Sequence, residues 1–181
     1  IDANMAFGTG HHPTTAGCLT LLDRFAGWAP RSIFDLGCGS AVLAIAAAKI
    51  WDREIIASDI DEDSVEIAAE NAALNGVGDK VNVYHFHDWC GEQLKRYHVR
   101  SPAAGDRYFD RQVEAVIDGV EKGHIPRAQY GAVMIDEGHD FEEDWLLALA
   151  AYKSGKTRVR RARRSNMQRG HNADYWSLRL P

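Results

Sequence analysis

Nowhere in the 181 residues does an apolar run approach the roughly 18 consecutive residues that a membrane-spanning helix needs. That absence argues against a membrane partner. A basic start followed by an apolar core is also missing from the first positions, so no secretory leader is legible. The chain opens at Ile1 without an initiator methionine, which reads as a fragment or a processed chain. Cysteine is scarce: Cys18, Cys38 and Cys90 are an odd number without repeated spacing. A disulfide framework is therefore not expected, and a reducing, cytoplasmic compartment is. Phosphate-binding signatures are absent too. The single Gly-Lys-Thr, at 155–157, has Ala150 where a phosphate loop needs its leading glycine, and "GCGSA" lacks the third glycine of a dinucleotide turn.

What is present describes a globular protein of about one domain. The net charge of −5 and 45% apolar content are too balanced for a disordered chain. Charge is unevenly spread, however, because residues 151–181 hold nine lysines or arginines against the single acid Asp174. Such a basic tail fits either a solvated arm or one that binds nucleic acid.

Short apolar runs at 32–36, 54–59, 81–86 and 130–135 alternate with amphipathic stretches. That alternation predicts βαβ units around a mostly parallel sheet, with ligands at the C-terminal edge of its strands. Helices are expected over 14–25, with Pro13 in the first turn, from Val42, over 61–75, and around 109–123. No internal repeats appear.

The first strand leads through Asp35 into "LGCGSA" and an Ala-rich helix. Glycines at such a turn let the backbone approach a ligand and are expected to leave amides free at the helix start. About 22 residues after Gly37 comes Asp59, an acid suited to accepting both hydroxyls of a ribose. With no pyrophosphate to hold, Asp35 suits the methionine end of a cationic sulfonium better than a phosphate.

These stretches, "MAFGTGHHPTT", "DLGCGSAVLAIAAAK" and "ASDIDEDSVEIAAENAALNGV", closely resemble the catalytic domain of PrmA-type methyltransferases of ribosomal protein L-eleven over residues 1–79. The resemblance implies a class I, Rossmann-like methyltransferase sheet, S-adenosyl-L-methionine as donor, and a protein amine as substrate. It also implies donor-binding roles for Phe7, Gly8, Thr9, Thr15, Asp35, Gly37, Cys38, Gly39, Asp59 and Ile60, with the "FGTG" loop lying over the donor. Two departures stand out: Ala41 replaces a family glycine, and the "NILA" signature after strand four is missing. Other readings remain open here. His11 and His12 read as metal ligands or loop polar groups, Cys38 as a nucleophile or a neutral neighbour of adenosine, and Asn71 and Asn75 as capping or solvent-facing groups rather than reactive ones.

From Val81 the vocabulary changes. "VNVYHFHDWCGEQLKRYHV" and "YGAVMIDEGHDF" are similar to superfamily-one helicases of the UvrD type over about 81–149. That likeness implies a Walker B strand, with Asp136 on magnesium and Glu137 polarising water, and base stacking by Phe86 and Trp89. Without a phosphate loop, ATP hydrolysis is not expected. His85, His87 and Cys90 suggest zinc, but a fourth ligand is not evident, and no metal site is expected.

The two likenesses meeting near Gly78 read as a chimera. The expected architecture is one α/β domain over 1–150, truncated at its C-terminal end, with "YGAVMI" as a fourth parallel strand beside the first. A basic tail over 151–181 follows, with a possible edge strand at 175–180. The expected activity is methyl transfer from S-adenosyl-L-methionine to a protein amine, with Asp136 in the place of the missing asparagine. The alternative is a helicase-derived fragment that binds single-stranded nucleic acid without ATPase activity.

Overall fold

The computed structural model describes residues 13–28 and 30–136. Helix α1 (Pro13–Arg24) precedes β1 (Ile33–Leu36), α2 (Val42–Trp51), β2 (Ile55–Asp59), α3 (Glu62–Leu74) and β3 (Val81–His85). Helices α4 (Phe86–Arg96) and α5 (Tyr108–Glu121) then lead to β4 (Ala132–Ile135). The strands form one sheet in the order β3-β2-β1-β4, every pairing parallel. The fourth strand lies beside the first, as the methyltransferase resemblance implies, with Ile33 opposite Ala132 and Leu36 opposite Ile135. The tail, the suggested edge strand at 175–180 and Glu137 lie outside the described residues.

Central β1 is buried along its whole length, and alternation sends its side chains to two separate cores. Ile33 joins Ala44, Ile45, Ala47 and Ala48 of α2 and Ala68 and Ala72 of α3. Phe34 and Leu36 join Trp89 and Leu94 of α4 and Val113 and Val116 of α5. Small alanines on α2 let its axis approach the sheet closely, which brings its N-terminus over the end of β1. Asp61 caps helix α3 by accepting the Ser64 amide at 3.0 Å. At its other end, left-handed Gly76 (φ 72°) lets the Val77 amide reach Ala72 O and its own amide reach Ala73 O, both at 3.0 Å.

The second core corrects the helicase-derived expectation for Phe86 and Trp89. The strand ends at His85, Phe86 opens α4, and Phe86 and Trp89 are only 4% and 3% exposed. Trp89 stacks on Phe34 with ring centroids 4.8 Å apart, and Tyr130 stacks on the same phenylalanine at 5.0 Å. Trp89 Nε1 donates to the Tyr130 hydroxyl at 3.2 Å. Rings enclosed in this way have no face to offer a base, because hydrophobic burial against the sheet outweighs any solvent-facing role. Cys90 lies in the same core, where burial pushes its thiol up to about 12. His85 Nε2 instead donates to Ile60 O at 2.8 Å. Among the described residues no cysteine is in a disulfide, and no helix is long and apolar enough to cross a membrane.

Candidate functional site

The C-terminal edge of the sheet gathers the chemistry-bearing residues. Asp35 is the next-to-last residue of β1, Asp59 ends β2 and Asp136 follows β4, around a turn formed by residues 37–41. That turn is left-handed at three points, Gly37 (φ 68°), Gly39 (φ 49°) and Ala41 (φ 61°). Glycine meets this demand without a Cβ clash, whereas Ala41 carries the strain of about 1–2 kcal/mol expected of an L-residue there.

The amides expected to be free at this turn are largely consumed, which corrects the sequence reading. Gly37 and Cys38 both donate to Ser58 O, at 2.8 and 3.0 Å. Gly39 N donates to Asp59 Oδ2 at 2.8 Å, and Ala41 N to Cys38 O at 2.7 Å. In the first turn of α2, Ala44 N donates to Asp35 Oδ2 at 2.9 Å. A carboxylate therefore already occupies the position where a helix N-terminus would receive a phosphate.

Asp35 is 1% exposed. Burial first, partly offset by the Ala44 amide and reinforced by Asp136 and Asp59, raises its pKa to about 7. The Cys38 thiol is pushed well up by burial and by the two acids Asp35 and Asp59. A thiol held neutral is a poor nucleophile, which leaves Cys38 its reading as a neutral neighbour. Asp59 is half-buried and also accepts the Asp61 amide on Oδ1 at 3.1 Å. Next to it, Ile60 is exposed. Thr15, buried on α1, donates its hydroxyl to Asp136 Oδ2 over a short 2.5 Å. Phe7, Gly8, Thr9, His11 and His12 lie outside the described residues.

The family model described as "Ribosomal protein L11 methyltransferase (PrmA)" matches residues 1–99. The chain belongs to this family. The match continues through β3 and α4, so "HFHDWC" falls within the PrmA region and the resemblance reaches beyond residue 79. A ribosomal protein L11 methyltransferase of Rhodopseudomonas palustris is 58% identical over 86 residues, 47% of this chain and 29% of that protein. Its counterpart in Bradyrhizobium diazoefficiens is 57% identical over 84 residues, 46% and 28% of the two chains. This PrmA chain thus spans less than a third of the length of these curated relatives. Among solved structures, the ribosomal protein L11 methylase of Lactobacillus delbrueckii subsp. bulgaricus is 37% identical. That match has a TM-score of 0.36 and covers 41% of this chain and 38% of the other.

In this PrmA chain, two links go beyond what the sequence suggests. Asn71, 1% exposed on α3, donates Nδ2 to Ser40 O at 3.2 Å and holds the turn against that helix. Its one signal in the sequence is its place on the inward face of α3, three residues after buried Ala68, and Asn75 at the cap is the better match to a capping residue. The other link is Thr15 to Asp136, 121 residues apart, for which no local signal exists.

The strain at Ala41 predicts an asymmetry measurable by urea denaturation. Ala47→Gly in the buried interior of α2 should cost about 2 kcal/mol, from helix propensity plus the lost methyl. At Ala41, relief of the left-handed strain should offset those losses to within about 0.5 kcal/mol, or reverse them. Equal losses at the two positions would rule out strain at the turn.

Proposed function

We propose that this chain carries the S-adenosyl-L-methionine site of a protein amine N-methyltransferase. Ribosomal protein L11, from which the family takes its name, marks the class of substrate. The observation that most supports this is the Asp35 carboxylate beneath the first turn of α2. A phosphate would meet like charge there, whereas a cation meets a complementary one. Asp59 keeps acceptor capacity on both oxygens beyond its two backbone amides, enough for a pair of ribose hydroxyls. Thr15, Gly37, Cys38, Gly39 and Ile60 frame the same edge, and a donor-binding role for Phe7, Gly8 and Thr9 rests on the family resemblance.

The sulfonium supplies an electrophilic methyl group and is left as a neutral thioether once that methyl has joined the amine nitrogen. The protein's part is to present a deprotonated amine in line and to keep water away, which is where the rate of such a transfer arises. Asp136 is positioned to accept an N–H bond from the amine, in the place of the family's asparagine. The Thr15 hydroxyl orients its carboxylate for that role. The helicase-like stretch then serves as strand four of the sheet, not as a nucleotide-hydrolysing element.

Calorimetric titration of S-adenosyl-L-methionine into the chain tests the reading. Binding is expected, and Asp59→Asn should weaken it by tenfold or more, about 1.4 kcal/mol, while the variant still melts cooperatively. No binding at millimolar donor, or unchanged affinity in the variant, would sink it.

A further inference from the structure

The three carboxylates at the sheet edge are not equivalent, and resting on the donor-site reading above, their difference assigns a role to one of them. Asp59 and Asp136 are half-buried, whereas Asp35 is sealed beneath the glycine turn with one oxygen on the Ala44 amide. The groups around it are Asp59 from β2, Asp136 beyond β4, and the neutral Cys38 thiol of the turn. Helix α2 contributes backbone amides and has no acid in its first turn. Helix α1 contributes the Thr15 hydroxyl, donated to Asp136. None of these groups is a cation, so an ionised Asp35 lacks a partner of opposite charge among them.

An ammonium ion can shed its proton to relieve an unbalanced buried charge, but a sulfonium has none to shed. A sulfonium entering this edge adds a positive charge beside Asp35 and favours the ionised form of that buried carboxyl group. We propose that Asp35 selects a permanently cationic sulfonium ligand over its neutral thioether counterpart, releasing a proton as the cation enters and recovering one as the thioether replaces it. Reactant and spent product would thereby be distinguished by charge at the one carboxylate among the described residues that is buried from solvent. Because burial and its two acidic neighbours hold Asp35 near neutral pH in the cation-free state, apparent donor affinity should scale with the ionised fraction. The expected change is about tenfold tighter donor binding at pH 8 than at pH 6, with little change for the thioether.

The test is calorimetric titration of S-adenosyl-L-methionine and of S-adenosyl-L-homocysteine at pH 6.5, each in two buffers of different ionisation enthalpy. The difference in heat counts the protons released. The donor should release most of a proton more than the thioether, and Asp35→Asn should remove that excess. Equal release by both ligands, or an excess that persists in Asp35→Asn, would overturn the proposal while leaving the donor site intact. Absence of binding by either ligand would overturn the donor-site reading and this inference with it. The parent titrations decide between these outcomes without the variant.

Discussion

Replacing Asp35 with asparagine is expected to raise stability at pH 8 by about 2–4 kcal/mol and to remove most of its decline between pH 5 and pH 8. The sign follows from the direction of the shift. Asp35 in the folded chain holds its proton up to about pH 7, whereas its ordinary value is 3.8. Between those values the folded state binds more protons than the unfolded state, so stability falls as pH rises. Above about pH 7 the full cost of a buried carboxylate is present, and a shift of this size corresponds to roughly 4 kcal/mol as an upper bound. Asparagine can still accept the Ala44 amide and carries no charge to desolvate. Urea denaturation of both proteins at pH 5 and pH 8 checks this. A parent equally stable at both, or a variant with the parent's slope, would contradict the assignment.

Trp89→Ala should cost about 3–5 kcal/mol, the usual loss when a large buried aromatic is truncated. The indole fills the space between Phe34 of β1, Phe86 of α4 and Tyr130 before β4. Its removal opens a cavity and also strips the hydroxyl of buried Tyr130 of the Trp89 donor. Trp89→Phe should recover much of the loss, since it restores ring packing but not the hydrogen bond. Denaturant midpoints and thermal melts measure both variants. Were Trp89 a base-stacking residue at the surface, the alanine variant would melt like the parent and lose only retention on single-stranded DNA.

Elements with a strong local signature are legible in the sequence itself. The alternation of apolar runs locates all four strands to within about two residues, and the Asp61 cap and the Asn75-Gly76 stop bound α3 because both act through neighbouring backbone groups. Phe86 is misplaced by the same alternation, because an aromatic residue continuing an apolar run has the same local pattern at the end of a strand and at the start of a helix. Ala41 is recognisable as a departure because the resembled family has glycine there, and its φ of 61° shows why that position favours glycine.

The sequence by itself determined the parallel α/β class and the glycine turn with Asp35 before it and Asp59 after it, which follow from periodicity, from backbone permissiveness or from short-range spacing. The place of the fourth strand beside the first was what the family resemblance implied, and the sheet bears it out. Only the tertiary structure decided that the turn's amides are spent on Ser58 and Asp59, that Thr15 meets Asp136, and that Phe86 and Trp89 are core. Those outcomes depend on which groups the folded sheet brings together across tens of residues and on how much water it leaves around them. Burial also sets the charge state of Asp35, because the cost of ionising a carboxylate depends on its surroundings rather than on its neighbours in the chain.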